Sequence, residues 1–190
     1  MMHGTNTQVV NVLPFIPTNS IGVEIGVWEG NSSAKFIKRN LKEFHMVDPW
    51  QTPEPLTERL LDRYAEKIGS KSRKDWDAYY ERVYNKVVDR FGSLPNVKIH
   101  RKFSIDFLNE YPDNYFDWAY VDGDHGYEGC KADLLLCKKK VKFGGYIFGD
   151  DYSWVHGIGK EGVTKAVNSL INTGWKPRRL GDSQFEFKVV

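Results

Sequence analysis

The sequence predicts an α/β fold: a mostly parallel β-sheet with helices on both faces, completed at its C-terminal end by an antiparallel hairpin. Three observations carry this reading. Apolar residues alternate along the chain between strand-like period two and helical period 3.6. A glycine-spaced turn in IGVEIGVWEG, residues 21–30, follows the first apolar run and leads into a helix. The end of the chain changes to two short extended runs around Gly181 and Asp182.

The first strand occupies the apolar start of residues 21–30. Asn31 or Ser32 then caps a helix whose Ala34, Ile37 and Leu41 share one face and which is expected to end near Glu43. Residues 44–47 form the second strand. It stops at Asp48 and Pro49, because proline donates nothing to a ladder and restricts the residue before it. Asp48 thereby falls at a strand's carboxyl end. Residues 97–100, the run FDWAYV at 116–121, and residues 146–148 after the Gly144–Gly145 turn supply the third, fourth and fifth strands. Cys130, Leu134, Cys137 and Val141 make one helical stripe; Val163, Ala166, Val167, Leu170 and Ile171 make another. Both suit crossover helices. Residues 175–180 and 185–189 form the closing hairpin.

Residues 51–93 carry no strand signal. Leu56, Leu60, Tyr64 and Ile68 mark one amphipathic helix, and Trp76, Tyr80, Val83, Val87 and Phe91 a second. Emerging at the ligand edge of the sheet, this insertion reads either as a lid over a substrate or as a helical pair packed permanently on the domain. At 190 residues the chain, 1–190, is expected to be one domain carrying that insertion. A net charge of +2 gives no electrostatic case for nucleic acid. No apolar run reaches membrane-spanning length, and the N-terminal MMHGTNTQVV lacks the basic-then-apolar order of a signal peptide. The expected compartment is therefore the cytoplasm. Cys130 and Cys137 share one helix face and read as reduced core residues.

The glycine turn is spaced Gly22, Gly26, Gly30, unlike the dinucleotide pattern G-x-G-x-x-G, and Glu24 and Glu29 would repel a pyrophosphate. A cationic cofactor fits better. S-adenosylmethionine carries a sulfonium and an ammonium, which acidic residues attract, and Asp48 is placed to accept hydrogen bonds from ribose hydroxyls. A second constellation joins Asp122, Gly123, Asp124 and His125 at the end of the fourth strand with Asp150 and Asp151 at the end of the fifth. Neighbouring strands lie roughly 4.8 Å apart, so these carboxylates converge, and like charges that close call for a cation. Oxygen-only ligands select a hard divalent ion such as magnesium. Adjacent strand residues point to opposite faces, so Asp150 and Asp151 can both ligate only where the chain has left the sheet, a departure that Gly149 eases. The same acids also serve as turn and cap residues on a purely structural reading.

The segments IGVEIGVWEGNSSAKF, the strand-end Asp48, YVDGDHGYEGCKADL, and GGYIFGDDYSW with the later GVTKAV resemble the class I S-adenosylmethionine-dependent methyltransferases. Among these, the chain is most similar to the small family that includes the macrocin-type sugar O-methyltransferases. The resemblance runs from about Ile21 to the end, outside most of the insertion. It implies a Rossmann-like seven-stranded sheet with an antiparallel final strand. It further implies that Glu24, Gly26 and Gly30 line the cofactor's methionine end, with Asp122 also at the cofactor, that Asp48 binds the ribose, and that Ser104 lies near the adenine. Asp122, Asp150 and Asp151 match acids that hold magnesium, and Asp124 matches a general base, with the adjacent His125 a rival for that role.

The expected activity is therefore methyl transfer from S-adenosylmethionine to a hydroxyl of a sugar or small polar natural product, assisted by Mg2+ or another hard divalent cation. Aromatic residues including Trp50, Trp76, Tyr79, Tyr80, Tyr84, Trp154 and His156 are candidates to enclose the acceptor. The expected partner is that small molecule, with neither nucleic acid nor membrane; a homo-oligomer stays open. The alternatives are a metal-independent methyltransferase, a metal-dependent hydrolase using the same acidic cluster, and a non-catalytic cofactor-binding subunit.

Overall fold

The computed structural model describes residues 8–52, 54, 58–153, 161–171 and 173–190. Its strands are β1 (Ile21–Ile25), β2 (Glu43–Asp48), β3 (Val97–Arg101), β4 (Phe116–Val121), β5 (Val141–Gly149), β6 (Arg178–Arg179) and β7 (Phe185–Lys188). Its α-helices are α1 (Ser33–Phe36), α2 (Glu58–Ile68), α3 (Arg73–Phe91), α4 (Ser104–Asn109), α5 (Tyr127–Lys140) and α6 (Glu161–Ile171). All seven strands join one sheet in the order β3-β2-β1-β4-β5-β7-β6. Strands β1 to β5 run parallel, and β7 is antiparallel to both β5 and β6. This is the Rossmann-like arrangement expected from the sequence.

Strand alternation divides the core into two clusters. Trp118 and Tyr120 of β4, Phe44 and Met46 of β2 and Phe148 of β5 pack with Phe36 of α1 and with Val83, Val87 and Phe91 of α3. Ala119 and Val121, with Val23, Ile25 and Ile147, meet Cys130, Leu134 and Cys137 of α5 and Val163, Ala166, Val167 and Leu170 of α6 on the other face. Both cysteines are free and buried. Among the described residues no helix is long and apolar enough to cross a membrane.

Several boundaries differ from the sequence reading. The first helix lasts one α-turn and a 3-10 turn, Ile37–Arg39, and ends at Asn40 in a left-handed conformation (φ 53°). Asparagine tolerates that geometry, so Leu41 is buried from a turn and Glu43 opens β2. Val141 belongs not to the α5 stripe but to β5, where it pairs with Phe116. The register between β4 and β5 then shifts, and Gly144 takes φ 83° within the longer strand, as a glycine at a strand irregularity does. Helix α4 and the 3-10 turns Gln8–Asn11 and Leu13–Phe15 are additional elements.

In the insertion, Trp76, Val83, Val87 and Phe91 of α3 are buried, so this helix is a wall of the domain. Leu56, Trp154 and His156 lie outside the described residues, as do the side chains of Leu60 and Tyr64.

A buried polar group braces β2 against β3 under α4. His45 Nδ1 lies 3.0 Å from His100 Nε2, its Nε2 lies 2.5 Å from Glu43 Oε1, and the Tyr115 hydroxyl donates to the same carboxylate at 3.0 Å. Burial lowers the His45 pKa against the pull of Glu43, and burial followed by the charge of His45 holds His100 down to about 4. Folded values below the ordinary 6.5 mean that this stability is present above pH 6.5 and is lost as the pH falls toward 4. For His100 the effect is on the order of 1 kcal/mol after solvent screening. Urea unfolding at pH 7.0 and 4.5 should show a smaller pH-induced loss for His100→Gln than for the parent protein. Equal losses would refute this origin.

Candidate active site

The carboxyl ends of β1, β2, β4 and β5 lie on one edge of the sheet. The chain winds from β1 to β2 on one side, while β4 lies on the other, so the crevice of an open α/β sheet opens at the end of β1 and β4. Gly26 forms its floor. Its N–H donates to the Val47 carbonyl at 2.9 Å, and the Asp122 N–H donates to the Ile25 carbonyl at 2.8 Å. Gly26 has φ 88°, and a Cβ there would stand 2.1 Å from the Asp122 carbonyl oxygen. Gly30, at φ 71°, lies against the ring of Phe91, 2.6 Å from where its Cβ would be. Both glycines are therefore required by close approach as well as by backbone angle.

The residues between them are fastened from several sides. Asp48 Oδ2 accepts from the backbone N–H groups of Val27 (3.1 Å) and Trp28 (2.9 Å), and its Oδ1 accepts from that of Trp50 (2.7 Å). The Trp50 indole donates to the Trp28 carbonyl at 2.9 Å, and Arg90 of α3 donates to that of Glu29 at 2.8 Å. Burial raises the Asp48 pKa, and the three backbone donors oppose it. Asp48 thus has a structural task in holding the turn, and a carboxylate with about four acceptor positions keeps capacity for one more donor.

Glu24 is fully buried beneath this turn and does not reach the cleft surface. One carboxyl oxygen accepts from Ser33 at the start of α1, and the other, Oε1, is buried without a hydrogen-bond partner. Burial raises its pKa well above the usual carboxylate range; Ser33 opposes, and Asp122 and Asp48 add to the rise. The charges of Asp122 and Asp48 thus oppose ionisation of Glu24, and such a gathering of carboxyls is unfavourable to a further anion.

At the end of β4, His125 Nε2 lies 3.2 Å from Asp122 Oδ1 and 3.1 Å from Asp151 Oδ2. Ligand atoms of Asp122, His125 and Asp151 all lie within 4.8 Å of one another. Burial raises the Asp122 pKa; the hydrogen bond from His125 opposes, and Asp150 and Asp151 add to it. The third acid expected from the sequence, Asp150, is outside this group: it is buried, and its Oδ1 accepts from Ser183 at 2.5 Å and from the Asp151 N–H at 2.8 Å. Gly149 does not release the chain either. It stays paired with Val121 and Phe185, its missing Cβ making room for the Phe185 ring. The departure occurs at Asp151, in a left-handed conformation (φ 61°) that swings its carboxylate toward His125. Asp124 is turned to the start of α5, where its Oδ1 accepts from the Gly126 N–H at 2.7 Å.

Ser104, expected near an adenine, is the first residue of α4, and its Oγ donates to Asp133 Oδ1 at 2.5 Å. It follows Phe103, which with Pro49, Gln51, Arg101, Lys102 and Asp106 lines a cleft of about 360 Å³ next to Asp48. Trp50 and Trp76, candidates for enclosing an acceptor, are core residues. The exposed aromatic residue at the turn is Trp28, whose ring carries the Lys67 ammonium of α2 at 3.2 Å. Its position between Gly26 and Gly30 was the sequence signal that could have singled it out.

The profile of a family described as methyltransferase domain matches residues 23–152, the segment that contains the turn, Asp48, Asp122 to His125 and Asp151. The chain belongs to this methyltransferase family. It is a class I S-adenosylmethionine-dependent methyltransferase. No curated protein sequence matches it significantly. Among solved structures, the methyltransferase is similar to the N-methyltransferase NodS from Bradyrhizobium japonicum, at a TM-score of 0.60 and 14% identity over 97% of this chain and 93% of that one. It is also similar to precorrin-6y C5,15-methyltransferase from Geobacter metallireducens (TM-score 0.62, 13% identity, 98% and 88% covered). Fibrillarin from Aeropyrum pernix, solved with natively bound S-adenosyl-L-methionine, gives a TM-score of 0.60 at 10% identity, with 95% and 74% covered. At these identities the likeness is one of fold.

Proposed function

We propose that this methyltransferase moves the methyl group of S-adenosylmethionine to a hydroxyl of a sugar or another small polar natural product, with a divalent cation beside the cofactor. The observation that carries the proposal is the convergence of Asp122, His125 and Asp151 within 4.8 Å, next to the floor formed by Gly26. Two carboxylates and an imidazole fit a divalent ion. Asp150, tied to Ser183, braces the segment that bears Asp151. The imidazole widens the choice from a strictly hard ion: the set suits Mn2+ as well as Mg2+.

A divalent ion there would lower the pKa of an acceptor hydroxyl and thereby supply a nucleophile at neutral pH. The protein's own groups do the rest. The Gly26 turn, held by Asp48, would fix the sulfonium end, and the half-buried Asp122, with Glu24 buried behind it, would favour its positive charge. With His125 in the ligand set, the acceptor's proton is assigned to Asp124, the exposed carboxylate of the same loop, which must turn from the Gly126 N–H to take it.

Chelator treatment separates this reading from its rivals. Turnover with S-adenosylmethionine and candidate sugars should fall at least tenfold in EDTA and return with Mn2+ or Mg2+. Chelator-insensitive turnover would favour metal-independent transfer, and ester or phosphate release without S-adenosylmethionine would favour a hydrolase.

A further inference from the structure

The geometry points to Asp133 as a positioning residue of the cofactor cleft: its buried carboxyl fixes Ser104, at the head of α4, against the loop that follows β4. This inference rests on the cofactor reading of the cleft and extends it to a residue behind the cleft wall.

Asp133 is on α5 and only 3% exposed. Its Oδ1 accepts from Ser104 Oγ at 2.5 Å, the one hydrogen bond it makes among the described residues. Its Oδ2 faces Gly123, where a Cβ would lie 3.7 Å away. Gly123 stands between Asp122 and Asp124, and Ser104 directly follows the cleft-lining Phe103. One side chain therefore holds the segment that begins after Phe103 and borders the loop after β4.

A carboxyl in such a place is a poor choice for stability. Its surroundings on α5 are Cys130, Leu134 and Cys137, and a single hydroxyl does not offset the burial of a charge. Burial pushes its pKa up to about 6, with Ser104 opposing and Asp124 adding to the rise. The titratable groups facing it are Asp124, Cys130 and Cys137. An apolar residue would pack there at lower cost, and sites that sacrifice stability for geometry are characteristic of function.

The test measures two quantities for each variant at pH 7.5: the dissociation constant for S-adenosylhomocysteine by calorimetry, and the thermal midpoint. Ser104→Ala and Asp133→Ala should each weaken binding at least tenfold, with a thermal midpoint equal to or above that of the parent. Asp133→Asn should bind within threefold of the parent, because its amide oxygen still accepts from Ser104. Unchanged affinity in Ser104→Ala and Asp133→Ala, whatever their midpoints, would overturn the assignment and leave Asp133 a packing residue. Loss of binding in Asp133→Asn equal to that in Asp133→Ala would also overturn it, since the hydrogen bond would then not be the determinant. If the parent protein itself fails to bind, the cofactor reading falls first and this inference with it.

Discussion

Replacing Gly26 by alanine is expected to abolish measurable cofactor binding and to destabilise the fold by about 3–5 kcal/mol, from left-handed backbone strain plus overpacking. The added methyl group meets the Asp122 carbonyl oxygen at 2.1 Å, and the obstructing atom is backbone that also holds the end of β1 through the Asp122 N–H. Neither partner can rotate away. Relief would require β1 and β4 to separate at the point where the cofactor must lie. Urea unfolding gives the stability term. Calorimetry with S-adenosylhomocysteine, at a temperature where the variant is folded, gives the binding term, which should be weakened at least 100-fold. An alanine variant that binds like the parent would mean that the cofactor does not contact this turn.

The second large effect concerns Asp151. Asp151→Asn preserves shape and, like aspartate, tolerates the φ of 61°, whereas alanine would confound the result with backbone strain. The amide loses the negative charge that faces His125 and Asp122. Turnover should fall by about 10²–10³, the range associated with losing one charge-stabilising or ligating group, and half-maximal activation should need more Mn2+. Affinity for S-adenosylhomocysteine should stay within threefold, because the Gly26 turn and Asp48 are untouched. Retention of full turnover would remove Asp151 from the chemistry.

The fold was largely legible because its strong elements carry redundant signals. β1, β2 and β4 combine apolar runs with defined stops at Gly26, Asp48 and Asp122, and the final hairpin is marked by Gly181 and Asp182. Val141 lies four positions after Cys137, where helical and strand readings coincide, and only pairing with Phe116 decides between them. Helix α4 has six residues, too few for a period to emerge. In the site, residue types and strand ends were legible, while side-chain directions were not. Asp150 and Asp151 are equivalent in sequence, and a single left-handed φ sends Asp151 toward His125 while Ser183, 33 residues after Asp150, claims the other. Asp124 has the composition of a base, yet its orientation is set by the Gly126 N–H. Asp133 carries no sequence signal, because a lone acid in a helix ordinarily faces solvent.

Calorimetric titration of the purified parent protein with S-adenosylhomocysteine, in buffer containing Mg2+, tests the central claim most directly. One site with a micromolar dissociation constant is the predicted result. No heat of binding from a sample shown to be folded by circular dichroism would contradict it, because the crevice at Gly26 and Asp48 would then lack the ligand for which its shape and charge are read.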